Sequence, residues 1–408
     1  MKQRSIQAAQ SPSPLRPNAW TLGLAMAGLI TCVPATQAEE AANQVLTALS
    51  STTLSGYVET SAIWKPGTGG GPLYGRSFDG ADKVDNFNLH VVRLNLEKPL
   101  EEGQWSAGYK AELAFGPDAN YFGGTTLNGG GSVNFDDFAI KQAHVLLRAP
   151  VGNGIDFKVG VFDTCIGYEV FDSGSNPNFS RSYGYALEPV THTGVMASYA
   201  VSDVLSFSAG VADTWFGAIN EKPADGVESH KTYLGLVSIV LPEAAGPLTG
   251  TAIYAGVVDG MNGVSVGANS KDTTSYYAGV TLPTPLTGLT LGGAFDYRQN
   301  GLNTTTPGDN WVWATALYAS YQATEKVKFN VRGDLTKGSD GTFYDAGAPG
   351  SDTQNELFSL TGTLDYSLWQ NVITRAEVRW DHSLQGDSPF SNADENAVTV
   401  AANIIYKF

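Results

Sequence analysis

Charge is scarce in this sequence: only 16% of its 408 residues are Asp, Glu, Lys or Arg. A soluble domain usually carries about a quarter. Basic residues are the scarcer sign, 24 against 40 acids, for a formal net charge of −16. Reading phosphates needs a basic footprint, so nucleic acid is not expected as a partner. Cysteine is nearly absent, with Cys32 and Cys165 alone. Thiolate metal clusters and haem-attachment motifs are thereby excluded. The five histidines (His90, His144, His192, His230 and His382) show no ligand spacing, so no metal and no cofactor is implied. The glycine runs GTGGG (67–71) and GGG (129–131) lack the lysine and the strand-to-helix setting of a phosphate cradle. Beyond the N-terminal segment, no apolar run reaches the roughly 20 residues of a membrane helix.

Glycine is plentiful, at 47 residues, and aromatics make up 11%. Mean hydropathy is only −0.12. This combination fits a transmembrane β-barrel, whose apolar surface is spread over alternate positions. Residues 1–38 have the layout of a secretory leader: Lys2, Arg4 and Arg16, then the apolar stretch from Trp20 to Val33, then small residues. Cleavage is expected after Ala38 or Ala35. Thr31 is a poor residue before a lipidated cysteine, which argues against Cys32 as a lipid anchor. Removing the leader takes away three basic residues and no acids, moving the net charge to −19. Only Cys165 then remains, so no intramolecular disulfide is expected. Residues 39–52 read as a short periplasmic lead-in, and 53–408 as the barrel.

The final stretch, AVTVAANIIYKF, sets the pattern. Val398, Val400, Ala402, Ile404, Tyr406 and Phe408 share one face, while Thr399, Ala401, Asn403 and Lys407 share the other. Ile405 is an apolar intruder on the polar face. Period two is the period of a strand with one dry side. An ordinary half-buried strand reads the same way, but a bare terminal strand is an aggregation hazard unless it closes a barrel. Tyr406 and the terminal Phe408 resemble the C-terminal insertion signal of outer-membrane proteins. Similar segments recur at Leu54–Trp64, Phe87–Lys98, Trp105–Phe115, Phe138–Arg148, Ile155–Phe162, Thr191–Ala200, Leu205–Thr214 and Lys231–Leu241. They continue at Thr249–Val258, Thr273–Leu282, Leu289–Arg298, Trp311–Gln322, Val327–Thr336, Glu356–Tyr366 and Val372–His382. A phase slip near Val91 and Val92 predicts a bulge.

About sixteen strands result, and the breaks between them alternate short and long. The short ones are 98–103, 149–154, 202–203, 242–247, 283–288, 323–326 and 367–371. The long ones are 65–86, 116–137, 163–190, 215–230, 259–272, 299–310, 337–355 and 383–396. The expected fold is therefore all-β: an antiparallel up-and-down transmembrane barrel with short periplasmic turns and long extracellular loops. Aromatics near strand ends (Trp64, Trp105, Phe115, Trp311, Trp369 and Trp380) fit headgroup-level girdles.

The runs LNLEKP (94–99), GYKAELAFGPDA (108–119) and VGVFDTCIGYEVFDSGSNPNFSRSYGYALEPVTHTGVMASY (159–199) resemble the OmpL-like β-barrel porin family of Gram-negative bacteria. NPNFSRS (176–182) followed by THTG (191–194) carries most of the likeness. The resemblance spans nearly the whole chain after the leader. It implies an outer-membrane pore and brings no catalytic residues.

With the apolar faces toward lipid, the other faces line the interior. These carry Lys110, Glu112, Asp156, Lys158, Asp296, Arg298, Lys328, Asn330, Arg332 and Asp334. Asp365, Ile373, Arg375, Glu377, Arg379, Asp381 and Lys407 complete the set. Lys or Arg on the lipid face at the midplane costs about 2–4 kcal/mol. So many charges in one phase point to a wet lumen, and sixteen strands are wide enough for a channel. The longest loop, 163–190, holds Tyr168, Phe171, Phe179, Tyr183 and Tyr185, more rings than a solvated loop needs. It is expected to fold inward, with Asp163, Glu169, Asp172 and Glu188 opposing Arg298, Lys328, Arg332, Arg375 and Arg379 at a constriction.

The expected function is passive diffusion of ions and small hydrophilic solutes through an outer-membrane porin. The alternative is a structural or adhesive barrel with an occluded lumen. An enzyme is not expected: Ser180 or Ser182 near His192 is the only tempting pair, and nothing in the sequence joins them. Loop acids such as Asp79, Asp82, Asp136, Asp137, Asp340, Asp352, Asp394 and Glu395 are candidates to bind divalent cations that bridge lipid headgroups, though such acids are more often simply solvated. Expected partners are outer-membrane lipid, the barrel-insertion machinery, ions and small solutes. Sixteen strands admit a homotrimer as readily as a monomer.

Overall fold

Period-two alternation becomes sixteen antiparallel strands closed into one barrel. The computed structural model describes residues 51–67, 73–102, 105–122, 137–223, 226–263, 272–300, 310–339, 342–343, 355–385, 388–390 and 394–408. The leader and most of the lead-in lie outside these residues. The strands are β1 (Thr53–Trp64), β2 (Asn86–Lys98), β3 (Ser106–Phe115), β4 (Phe138–Ala149), β5 (Ile155–Asp163), β6 (Thr191–Ala200), β7 (Leu205–Ala212) and β8 (Thr232–Val240). They continue with β9 (Ala252–Gly260), β10 (Thr273–Pro283), β11 (Leu289–Gln299), β12 (Trp311–Gln322), β13 (Val327–Gly338), β14 (Asn355–Trp369), β15 (Val372–Ser383) and β16 (Asn396–Lys407). Each strand pairs with its sequence neighbours, and β1 pairs with β16, so no edge is left open. Closure satisfies every ladder hydrogen bond internally, as a lipid setting requires. A twelve-residue strand rises about 40 Å, which a tilt of about 45° reduces to about 28 Å, close to the hydrocarbon thickness.

The outer face is apolar and uncovered. Leu317, Val331, Val378 and Ile404 are each about half exposed or more, and Trp105 and Trp369 lie open near the short-turn end. An apolar surface on this scale has no place in water. The barrel closes at Gly56, whose backbone exchanges hydrogen bonds with Phe408 in both directions, at 2.9 and 3.0 Å. A Cβ at Gly56 would strike the Arg93 carbonyl and meet the Phe408 ring 2.8 Å away, so the terminal aromatic is seated where only glycine fits.

The bulge lies at His90, one residue before the expected slip: Glu59 faces Val91 and Thr60 faces Leu89. Lys141 forms a second bulge, between partners of Glu112 and Leu113. Each bulge turns two successive side chains inward, His90 with Val91 and Lys141 with Gln142, and all four are buried. The connection between β8 and β9 is longer than the expected 242–247. Pro242 and Pro247 withhold ladder donors, and Gly246 and Gly250 take positive φ, so the chain makes a 3₁₀ turn over Glu243–Leu248.

Candidate pore constriction

Residues 164–190 leave the rim after β5 and pack inside the barrel. Near the start, Tyr168 stacks on Tyr318 of β12, ring centroids 4.4 Å apart. Glu169 pairs with Arg332 of β13 at 3.0 Å and accepts from the Tyr318 hydroxyl and the Ser182 amide. The chain then crosses to β1 and β2. Asp172 accepts from Tyr57 at 2.9 Å and pairs with Arg93, and Ser173 donates to Glu59. Beneath this point lies Ile405: a Cβ on Gly174 would sit 3.1 Å from it. The apolar intruder on the polar face of β16 is thus the floor under the loop.

From there the loop climbs along β15. Four successive inward side chains meet it in order. Arg375 donates to the Ser173 and Asn176 carbonyls at 2.5 and 3.0 Å. Glu377 accepts from the Phe179 and Ser180 amides at 2.7 and 3.0 Å. Arg379 donates to the Arg181 carbonyl at 2.6 Å, and Asp381 accepts from the Tyr183 hydroxyl at 2.7 Å. These four positions span about 20 Å of strand. Arg332 adds hydrogen bonds to the Ser180 and Arg181 carbonyls from the neighbouring wall. A loop lying against a wall has carbonyls to satisfy, and guanidinium supplies five donors in a fixed fork. The NPNFSRS run is the segment held this way.

The sequence-derived residues are distributed as follows. Glu169 meets Arg332, while Asp172 meets Arg93. Asp163, at the rim end of β5, pairs with Lys141. Glu188 hydrogen-bonds the carboxyl of Asp296 on β11. Burial first, and Asp296 next, push the Glu188 carboxyl well above the ordinary range. Gly167, at φ +118°, lies against it, and a Cβ there would collide with the Glu188 carboxylate. Arg298 lies over the Trp215 ring, 4.2 Å from its centroid. Arg375 and Arg379 serve loop carbonyls, as above. Lys328 is the second residue of β13, in register with Asp365. Tyr406 faces outward, and Phe408 closes on Gly56. Arg93 and Lys141 were not singled out from sequence. For Arg93 the signal is present in the alternation Arg93, Asn95, Glu97 against Leu94, Leu96. Lys141 is hidden by its bulge.

The interior has two characters. Charged and amide side chains cover β13 to β16 and β1 to β5. Across β6 to β12 the inward face is largely apolar, with Met196, Leu234, Leu236, Tyr254, Tyr277 and Tyr318 packed against Ile166, Trp215 and Phe216.

His192 bonds the Thr214 carbonyl and Thr164 hydroxyl, and Ser180 serves Arg332, so the tempting pair has other partners. Ser61, His90 and Asp118 do line up like a hydrolytic triad, at 2.7 and 3.1 Å. However, Lys83 stands 3.2 Å from the same His90 Nδ1 and pairs with Asp118. Phe179 packs edge-on against the imidazole, and Ser61 is only 7% exposed. The arrangement is a buried anchor beneath the loop. Among the described residues, no group of three or more His, Cys, Asp or Glu is placed to hold a metal. Burial opposes ionisation of Asp79, but the adjacent Arg76 overcomes it and holds the carboxyl at about 2. Asp136, Asp340, Asp352 and the glycine run 129–131 lie outside the described residues, as does most of 67–71.

The sequence profile of the family described as Putative beta-barrel porin-2, OmpL-like, matches residues 51–408. The chain belongs to that family. This porin is accordingly an outer-membrane protein. No curated protein matches it in sequence. Among solved structures it is similar to OmpT of Vibrio cholerae in its trimer form, at 13% identity and TM-score 0.54, over 88% of this chain and 99% of that one. It is also similar to the outer-membrane channel DcaP of Acinetobacter baumannii, at 12% identity and TM-score 0.56, over 89% and 99%. The anion-selective porin from Comamonas acidovorans gives 14% and 0.55, over 88% and 99%. At such identities the likeness concerns the fold.

Proposed function

We propose that the protein is a passive diffusion channel for ions and small hydrophilic solutes, narrowed by loop 164–190. The observation that carries this reading is the docking of that loop along the charged inner wall of a sixteen-strand barrel. Asp163, Glu169, Asp172, Glu188, Arg298, Lys328, Arg332, Arg375 and Arg379 are proposed to shape the constriction. Most act by holding the loop in place, which sets the free cross-section. Transport rather than catalysis is proposed, since the sealed Ser61 setting offers a substrate no approach. The leader 1–38 is taken to be removed on export. Assembly as a homotrimer is proposed on the trimeric form of the Vibrio cholerae relative and the apolar outer face. The mass of the detergent-extracted particle tests it.

A second reading has its own support. The apolar packing across β6 to β12 fills that side of the lumen, as an occluded structural barrel would. Liposome swelling with graded sugars separates the two. A diffusion channel gives swelling that slows steeply with solute size. No swelling with the smallest sugar would favour the occluded barrel.

A further inference from the structure

Two acids meet where the loop returns to the rim, and their contact needs a proton. Glu188 hydrogen-bonds the carboxyl of Asp296, which points inward from β11. Ionised carboxylates only accept hydrogen bonds, so one of the two must stay protonated to donate. The backbone is shaped to the contact. Gly184 lies against the Asp296 carboxyl and Gly167 against that of Glu188, and a Cβ at either glycine would collide. These glycines belong to the returning and the outgoing limb of the loop, which the Thr164 amide joins by donating to the Val190 carbonyl at 2.9 Å. The pair therefore ties both limbs to one wall strand.

Among the described residues, no cation is found in the set of groups acting on this pair. They are Glu169 and the Tyr185 hydroxyl from the loop, the Tyr277 hydroxyl from β10, and the Tyr121 hydroxyl from the turn after β3. Glu169 is already held by Arg332, and Lys141 by Asp163 and Glu112. Arg298, the next inward residue of β11, lies over the Trp215 ring. Asp296 is only 5% exposed, and its Oδ1 has no hydrogen-bond partner. Glu188 keeps some solvent contact, on the wall of a cavity of about 40 Å³ that it shares with Lys141, Asp163, Glu169 and Tyr185. That is room for a water molecule, and so a route for a proton.

Losing the proton would set two like charges at hydrogen-bond distance in a poorly solvated place, where repulsion is strong. Moving the loop off β11 relieves it. An acid whose pKa is raised by docking holds its proton at low pH and gives it up as pH rises. Docking is therefore favoured below that point and opposed above it. Arg375, Glu377 and Arg379 still hold 173–181 against β15, so the movement is confined to the 184–188 side. We propose that Glu188 and Asp296 are a proton-operated gate, whose ionisation swings this limb away from β11 and widens the passage for ions and small solutes. Conduction through the gap rests on the channel reading, but the swing itself does not.

The test compares wild type, E188Q and D296N as refolded full-length barrels, with heat-modifiable migration on gels confirming that each is folded. Either amide keeps a hydrogen-bonding partner for the remaining carboxyl without the second charge. Single-channel conductance in planar bilayers is followed from about pH 5 to about pH 9. Wild type is expected to rise by about twofold or more over that range, and both variants to stay near the low-pH value. Alkylation of Cys165, which is 2% exposed and two residues before Gly167, reads the limb without any current. One pKa unit of coupling is a change of about tenfold in the open population. At about pH 9 wild type should therefore label about tenfold faster than E188Q, and at about pH 5 equally fast. Comparison at one pH cancels the ionisation of the thiol itself. Equal conductance profiles in the three proteins, or a fall with rising pH, would overturn the gate. If no protein passes current, labelling decides: faster wild-type labelling keeps the gate and removes the diffusion channel, and equal labelling removes both.

Discussion

Single residues inside this barrel are explained by what the loop needs rather than by solvent. Ile405 looked misplaced on a polar face and is the seat of Gly174. Glu377 has its two oxygens on two successive loop amides, a role no local pattern announces. Glu188 is the residue most open to a pH test. It faces the Asp296 carboxyl, with Glu169 nearby, and burial holds its folded-state pKa well above 4.5. A raised acid pKa means the folded state binds the extra proton. Its contribution is therefore fully present below about pH 4.5 and is lost as pH rises through the folded value. Thermal unfolding followed from pH 4 to 8 should show stability declining in wild type, and a flatter profile in E188Q. Matching profiles would separate Glu188 from loop docking. The Cys165 thiol offers a parallel readout, since burial pushes it up to about 12 and keeps it unreactive while the loop is docked.

At the scale of elements, strands were far more legible than contacts. Period two and the alternation of short and long breaks appear in any short window, so the strand expectations fell within a few residues of the observed bounds. Where they missed, local backbone chemistry was responsible, as at Pro242, Gly246 and Pro247. The inward phase of β15 could be read, because Arg375, Glu377, Arg379 and Asp381 alternate with Ala376, Val378 and Trp380. What those charges hold could not be read. The partners lie about two hundred residues away in sequence, and most are backbone carbonyls and amides, which carry no residue signature. The bulge at Lys141 was hidden for a related reason: one inserted residue shifts phase without leaving a glycine or proline behind. If β15 acts as the clamp, Arg379→Ala should take one donor from the Arg181 carbonyl and one cation from the Asp381 carboxylate together. A loss of about 2–3 kcal/mol is expected in urea unfolding from lipid vesicles. Thiol labelling of Cys165 should quicken in parallel. Wild-type stability with wild-type labelling would show that β15 does not carry the loop.

At the scale of the molecule, one polypeptide satisfies two solvents. The outer face gives lipid an unbroken apolar band, and the inner face spends its charge on a loop that would otherwise hang outside. The loop touches the barrel at β1 and β2 and again at β9, so its position bears on both sides of the cross-section. Family membership fixes the setting, an outer-membrane porin, while the width of the water path depends on this loop. The most direct measurement is single-channel conductance in planar bilayers, comparing wild type with a variant lacking residues 172–184. The account predicts discrete conductance steps for wild type and clearly larger steps for the deletion. Equal steps in the two proteins, or no steps in either, would contradict it.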